Sequence, residues 1–137
     1  MAAKQVLVVR RDLKMRRGKE IAQGAHAASM WQDQLIRHCV ETQTVPTLSD
    51  AQRSWLYDGF ATKVVLQTPS EESLREVCAA AREAGLRVEL VADAGKTEFG
   101  GVLTTTCCAI GPNESAAVDR VTGAESTLFL TGKLALY

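Results

Sequence analysis

Short apolar runs rich in β-branched residues alternate along the chain with longer stretches of helical periodicity. The short runs predict buried strands at residues 5–10, 63–67, 87–92 and 102–110, and residues 132–137 are a candidate edge strand. Because strands that alternate with helices pair through crossover connections, this order predicts a three-layer α/β/α domain with a mainly parallel sheet.

The first predicted helix extends from residue 18 to about residue 41. Its apolar positions recur at spacings of three, four and seven residues, which is the period of an amphipathic helix. These positions are Ile21, Ala25, Ala28, Leu35 and Cys39. We expect this apolar stripe to face the sheet.

Three shorter helices are predicted from start and stop signals. Ser49 can cap a helix that ends near residue 58. Thr68 and Glu71 have the spacing of a capping box, and Gly85 is the natural end of the helix that follows. Residues 111–113 are expected to turn the chain into a last short helix that ends near residue 121.

Length and composition indicate a single globular domain over residues 1–137. Hydrophobic residues make up 46% of the chain and charged residues 23%, which is ordinary for such a domain. No apolar stretch is long enough to span a membrane. Because the chain enters its first strand within a few residues of Met1, we expect no signal peptide and a cytoplasmic location.

The four cysteines do not form a metal-binding pattern. Cys39, Cys78, Cys107 and Cys108 show no C-x-x-C spacing, and two histidines are present to complement them. Adjacent cysteines in a strand point to opposite faces, so Cys107 and Cys108 cannot easily bind one metal ion together. We therefore expect reduced, buried thiols and no zinc site. A nucleophilic role for Cys107 or Cys108 is the less favoured alternative.

Charge is balanced overall but concentrated locally. The chain has 16 basic and 16 acidic residues. Residues 4–19 hold seven basic side chains and one acid, a net charge of +6, which leaves −6 for the rest of the chain. A basic pole can attract phosphate even in a neutral protein, although such a run also fits a solvated face.

One face of the first helix carries residues suited to chemistry. Lys19, Gln23 and His26 fall at positions i, i+4 and i+7. The helix start adds positive potential, and Gly18 permits a phosphate to approach closely. This combination fits an anionic or ester substrate, whereas the alternative is an exposed polar stripe.

A second candidate lies directly after the third predicted strand. Asp93 follows that strand, at the position where open α/β sheets usually bind ligands, and Gly95 and Thr97 supply a glycine and a hydroxyl. Together with Lys96 they are also similar to the tail of a phosphate-binding loop. That match fails because Leu90 stands where the motif needs glycine and no helix follows, so an NTPase is not favoured.

In their order and spacing these motifs resemble the type II peptidyl-tRNA hydrolases. Residues 5–26, QVLVVRRDLKMRRGKEIAQGAH, are similar to the family's opening strand, basic loop and G-K-x-x-A-Q-x-x-H helix. The later stretches in the family's order are KVVL at 63–66, AGL at 84–86, DAGKT at 93–97, GP at 111–112, DRVTG at 119–123 and GKL at 132–134. The resemblance covers nearly the whole chain apart from excursions at residues 42–61 and 123–131.

The resemblance implies a four-stranded mixed sheet between helices, metal-independent hydrolysis without a cofactor, and often a homodimer. The implied substrate is peptidyl-tRNA, whose ester between peptide and tRNA is cut to recycle the tRNA for translation. The matching positions that form the family's functional neighbourhood are Lys19, Gln23, His26, Lys63, Asp93 and Thr97.

Roles within this neighbourhood follow as hypotheses. Asp93, paired with His26, orients or deprotonates a water, while Lys19 stabilises the developing negative charge or binds the terminal phosphate. Thr97 is the remaining catalytic candidate and supplies a hydrogen bond. The expected substrate-binding positions are Arg10, Arg16, Arg17, Gln23, Lys63, Gly95, Lys96 and Thr105.

This sequence departs from the family pattern in the loop after Asp93. It has Lys96 and Glu98 where the family usually has arginine and glutamine, and residues 99–101 replace a proline-containing turn. Glu98 adds negative charge near the expected phosphate site. Two alternatives therefore stay open: a non-catalytic RNA- or nucleotide-binding module on the same fold, and a small-molecule esterase or amidase.

Overall fold

The computed structural model describes residues 1–96 and 98–137, which form a four-stranded sheet and four helices. The strands are β1 (Ala3–Arg10), β2 (Lys63–Thr68), β3 (Val88–Asp93) and β4 (Thr104–Glu114). The helices are α1 (Arg17–Thr42), α2 (Asp50–Tyr57), α3 (Glu71–Glu83) and α4 (Ser115–Thr122). The α/β prediction is confirmed, and the four predicted strands and four predicted helices up to about residue 121 are present with shifted ends.

The strand order across the sheet is β2-β1-β4-β3. β1 and β2 are parallel, whereas β4 is antiparallel to both of its neighbours, β1 and β3. β1, β2 and β3 therefore run in one direction and β4 in the other, which makes the sheet mixed. The prediction of a mainly parallel sheet is confirmed in that three of the four strands run in the same direction. Because β4 lies between β1 and β3, both pairings of β4 are antiparallel.

Helices cover both faces of the sheet. On one face, α3 and α4 pack on the sheet through a buried cluster that includes Val8, Leu74, Val77, Ile110 and Val118. On the other face, α1 packs through a cluster that includes Leu7, Val9, Ala27, Cys107 and Ala109. Because β1 and β4 lie in the centre of the sheet, their alternating side chains supply both clusters. The result is the three-layer arrangement that the sequence predicts.

The buried face of α1 differs from the predicted apolar stripe. Its buried residues are Gln23, Ala27, Trp31 and Cys39, whereas Ile21 and Ala25 are exposed. The prediction for Ile21 and Ala25 is wrong because it counted apolar residues alone. The buried face instead includes Gln23, whose amide has hydrogen-bond partners in Asp93 and Thr106.

Two local predictions, the cap of α3 and the turn at residues 111–113, differ from the structure. Ser49 caps α2 as expected, but α3 is capped by Ser70 and Ser73 rather than by Thr68, because Thr68 is the last residue of β2. Residues 111–113 do not turn the chain out of the sheet. They continue β4 through a cis Gly111–Pro112 peptide, and Asn113 and Glu114 pair with Lys4 and Ala3. Because of this pairing β1 starts two residues earlier than predicted.

The remaining segments pack against this core. Within residues 42–61, the Trp55 indole donates to the Thr62 carbonyl oxygen at 2.8 Å and lies edge-on to Trp31, with ring centroids 5.9 Å apart. At residues 132–137 the expected edge strand reduces to one bridge between Leu66 and Leu136. No helix in the described part of the chain combines the length and apolar character that crossing a membrane requires.

Candidate functional site

The candidate site lies at the end of the sheet where β1 and β3 finish and α1 begins. Asp93 is the last residue of β3, and Lys19 lies in the first turn of α1. The Lys19 Nζ donates to Asp93 Oδ2 at 2.8 Å, and the two side chains are 14% and 16% exposed. The fold thus brings together two residues that are 74 positions apart and leaves both reachable from solvent.

Gln23 connects this ion pair to the sheet. Its Nε2 donates to Asp93 Oδ2 at 3.3 Å, and its Oε1 accepts a hydrogen bond of 2.6 Å from the Thr106 hydroxyl. Thr106 is fully buried in β4 and Gln23 is 3% exposed. Because the hydroxyl donates to the amide oxygen, the amide nitrogen is left to face Asp93. The two hydrogen bonds that link Thr106 to Gln23 and Gln23 to Asp93 therefore hold the carboxylate from the side of the sheet.

Gly95 holds the other oxygen of the carboxylate. Its backbone N–H donates to Asp93 Oδ1 at 2.8 Å. Gly95 has φ of +80°, and a Cβ there would lie 2.5 Å from the Val102 carbonyl oxygen, so this turn requires glycine. The hydrogen bond from Lys19, followed by that from Gly95, lowers the pKa of Asp93. At neutral pH the site therefore contains a carboxylate held by three donors.

Of the other two predicted catalytic residues, His26 lies apart from this network of contacts. His26 is exposed on α1, and no hydrogen bond or ion pair joins it to Asp93 within residues 1–96 and 98–137. Thr97 lies outside the described residues. Their catalytic roles stay predictions.

The predicted basic residues divide into two groups. Arg16, Arg17 and Lys96 are exposed near the Lys19–Asp93 pair, on the two loops and the helix start that surround it. Arg10 is different, because the residue is 8% exposed and its guanidinium donates to both oxygens of Asp12, at 3.1 and 2.7 Å. A third bond of 2.9 Å runs from Arg10 to the Thr105 carbonyl oxygen, so Arg10 ties β1 to β4.

Lys63 lies at the opposite corner of the sheet. It begins β2 beside Gln5, whereas Asp93 ends β3 beside Thr104, a separation on the order of 20 Å. Its Nζ donates to the Ala61 carbonyl oxygen at 3.1 Å. The structure does not bring Lys63 to the candidate site. It lines a separate apolar cavity of about 600 Å³ between α1 and the β1–β2 edge.

The hydroxyl that joins the site comes from Thr106, which the sequence prediction missed in favour of Thr105. Opposite Val91 and Ala92, β4 pairs through Cys107 and Thr105, so Thr106 is the extra residue of a bulge. Its side chain consequently reaches α1. The Thr105 hydroxyl is buried with no hydrogen-bond partner in the described part of the chain. In the sequence, the run of three threonines at residues 104–106 indicates that a hydroxyl lies in this part of the strand, but it does not show which of the three reaches the site.

The cysteines of β4 are poor nucleophiles. Burial raises the pKa of Cys107 to about 11. The hydrogen bond to Cys78 and burial together raise the pKa of Cys108 well above its usual range. Both side chains are therefore protonated at neutral pH and closed to solvent. Within the described residues, no group of three His, Cys, Asp or Glu side chains is arranged to hold a metal ion.

Comparisons with known proteins agree with this arrangement of motifs. The family described as peptidyl-tRNA hydrolase PTH2 matches residues 3–128. A peptidyl-tRNA hydrolase of Aeropyrum pernix is 42% identical over 120 residues, which are 88% of this chain and 91% of the relative. One from Methanothermobacter thermautotrophicus is 38% identical over 88% of this chain and 95% of its own length.

A longer relative matches over the same part of this chain. The bovine protein named peptidyl-tRNA hydrolase 2, mitochondrial, is 39% identical over 120 residues. The match covers 88% of this chain but 61% of the bovine protein. The chain therefore spans about three fifths of the mitochondrial relative and nearly the full length of the archaeal ones.

Proposed function

Since the chain belongs to the peptidyl-tRNA hydrolase PTH2 family, we propose that it hydrolyses the ester between a peptide and the terminal ribose of tRNA. The observation that carries this proposal is the Lys19–Asp93 ion pair, which Gln23 and Gly95 hold in place. The exposed basic residues Arg16, Arg17 and Lys96 surround it. An ester that already bears a good leaving group needs a placed water and a cation more than a strong nucleophile. The pair supplies both functions.

In this mechanism Asp93 positions the water rather than removing its proton in advance. Its lowered pKa makes it a weak base. Within residues 1–96 and 98–137 the carboxylate accepts three hydrogen bonds, and a carboxylate has about four lone-pair positions, so a water can also donate to it. The Lys19 ammonium, bound on one side to Asp93, stabilises the negative charge that develops on the ester oxygen. Gln23 and Thr106 act through Asp93 by holding its orientation.

The proposed reaction balances without any further reactant. The water oxygen bonds to the acyl carbon, and the bond from that carbon to the ribose oxygen breaks. One proton of the water goes to the departing ribose oxygen, and the other is released when the peptide leaves as a carboxylate. Asp93 and Lys19 return to their starting protonation states.

The tRNA is proposed to approach across the start of α1. Arg16 is the N-cap residue, and its side chain makes no hydrogen bond to the first N–H groups of α1. At Gly18 a Cβ would meet nothing within 4 Å, so the surface there is open. Positive helix-end potential combined with Arg17 and Lys96 fits a phosphodiester backbone.

The direct test is the release of N-acetylated amino acid from acetyl-aminoacyl-tRNA by purified protein. We expect multiple turnover by the wild type and loss of turnover in Lys19→Ala and Asp93→Asn, with melting temperatures showing that both variants are folded. Salt-sensitive tRNA binding without turnover would replace this proposal with the binding module. Turnover of a small ester that tRNA does not inhibit would replace it with the small-molecule esterase.

Two further features are proposed for the protein in its cell. We expect a homodimer, as the resemblance implies, and light scattering coupled to size-exclusion chromatography measures its mass directly. The cytoplasmic location is the second proposal, supported by the 38% and 42% identity to archaeal peptidyl-tRNA hydrolases, whose names give no organelle. Fractionation that places the protein in an organelle would contradict it.

A further inference from the structure

Two loops border the Lys19–Asp93 pair, and an ion pair joins them. The loop of residues 11–16 leads into α1, and the loop of residues 94–103 connects β3 to β4. The Arg16 Nε donates to Glu98 Oε1 at 2.8 Å. The two partners differ in exposure, because the Arg16 side chain is 80% exposed and the Glu98 side chain is 14% exposed. The carboxylate is thus held in place while the guanidinium faces solvent.

Glu98 is adjacent in sequence to a residue that lies near Lys19. The next residue, Phe99, packs against the cluster beneath α1, and its ring lies 5.7 Å from the Lys19 Nζ. Arg16 precedes α1 and lies three residues before Lys19. Any phosphate that contacts Arg16 near the start of α1 therefore meets the Glu98 carboxylate at the same guanidinium.

We propose that Glu98 is a specificity-determining residue that competes with a tRNA phosphate for Arg16. This inference rests on the proposed function, since it takes tRNA as the substrate. Because the Arg16 side chain is 80% exposed, water screens the ion pair and its guanidinium can turn to a phosphate, but the nearby carboxylate then opposes the bound phosphate. Glu98 consequently weakens tRNA binding and leaves the chemical step unchanged. A ligand with many phosphates overcomes this opposition more readily than a small anion does.

The test is a double-mutant cycle on tRNA affinity. Glu98→Gln keeps the size of the side chain and an oxygen that accepts from Arg16, but removes the charge. We expect it to tighten binding of deacylated tRNA two- to fivefold, the scale set by exposed ion pairs. The slope of log affinity against log salt concentration should become steeper, by up to about the amount that one additional phosphate contact contributes. In the Arg16→Ala background, Glu98→Gln should tighten binding by clearly less.

Two controls separate competition from other effects. Glu125→Gln makes the same change of charge at an exposed side chain away from this site, so it should leave tRNA affinity unchanged. In Glu98→Gln, the KM for acetyl-aminoacyl-tRNA should fall, whereas the single-turnover rate at saturation should not change. Equal effects of Glu98→Gln in both Arg16 backgrounds, weaker binding by Glu98→Gln, or a change in the single-turnover rate would each overturn the inference.

The result of the tRNA-binding cycle does not depend on whether the protein hydrolyses the ester. Deacylated tRNA contains no ester, so the binding cycle reports on Arg16 and Glu98 even if the wild type fails to hydrolyse the acylated substrate. That failure would defeat the proposed function alone. A wild type that hydrolyses its substrate but shows no interaction between Arg16 and Glu98 in the cycle would defeat the inference alone, and a wild type that binds no tRNA would defeat it as well.

Discussion

Replacing Thr106 by valine tests the link between the sheet and the candidate site. Valine has nearly the same shape, so the substitution replaces one hydroxyl by a methyl group at a fully buried position and removes a hydrogen-bond donor. The lost donor is the one that binds Gln23 Oε1 at 2.6 Å. Gln23 is itself 3% exposed, so water cannot easily replace the donor. The amide is then free to rotate, and its hydrogen bond to Asp93 is no longer enforced.

The size of the effect follows from the burial of Gln23. A buried acceptor left without a partner costs about 1–3 kcal/mol, and for a domain of this size each kcal/mol corresponds to a fall in melting temperature of roughly 3–5 °C. Lys19 and Gly95 still hold Asp93 in the variant. We therefore expect a partial loss of kcat, of about tenfold, rather than inactivation.

Thr105→Val provides the matched control one residue away. The Thr105 hydroxyl is also buried, but it has no hydrogen-bond partner within residues 1–96 and 98–137. Its removal should leave the melting temperature unchanged or slightly higher, with kcat unaffected, because no hydrogen bond is lost. Thermal unfolding and acetyl-aminoacyl-tRNA hydrolysis on both variants complete the assay. Equal losses in the two variants, or none in Thr106→Val, would refute the assignment of Thr106.

Two more predictions concern the loop and the pH dependence. Gly95→Ala should lower the free energy of unfolding by at least about 2 kcal/mol, because φ is +80° and the new Cβ would meet the Val102 backbone. Gly100→Ala, which also has a positive φ but open space around it, should cost less. Urea unfolding that ranks the two variants in the reverse order would contradict this. Because the folded state lowers the pKa of Asp93 below its ordinary 3.8, Asp93 is anionic above that pH and its stabilising effect is lost as pH falls through the lowered value. The difference in unfolding free energy between wild type and Asp93→Asn should therefore be constant from pH 5 to 8 and shrink only below about pH 4, and a decrease near pH 6 would show that Asp93 is not held as described.

Most of the fold could be predicted because its elements carry strong local signals. The buried stripe of α3, which includes Leu74, Val77 and Ala81, follows a regular helical period, and the structure buries all three. The errors arose where tertiary pairing overrides a local signal. Glycine and proline at 111–112 indicate a turn, yet the early start of β1 provides partners that keep β4 in the sheet. No local pattern contains that information.

The candidate site was predictable where its residues follow a motif and not where their geometry depends on packing. Lys19, Gln23 and Asp93 were expected, and the structure joins them. Arg10 has the same charge as Arg16, but its burial against Asp12 depends on the path of the loop after β1. Thr106 reaches the site only because β4 bulges opposite β3. Strand register and side-chain direction are set by long-range contacts that a single sequence does not show.

The most direct measurement is the single-turnover rate of acetyl-aminoacyl-tRNA cleavage at saturating enzyme for Lys19→Met, Asp93→Asn and the double variant. Because the two side chains form one ion pair with a shared task, each single substitution should lower the rate about a hundredfold or more, and the double variant should be no slower than the slower single one. Losses that multiply in the double variant, or a folded single variant that retains a rate within about threefold of the wild type, would contradict the account.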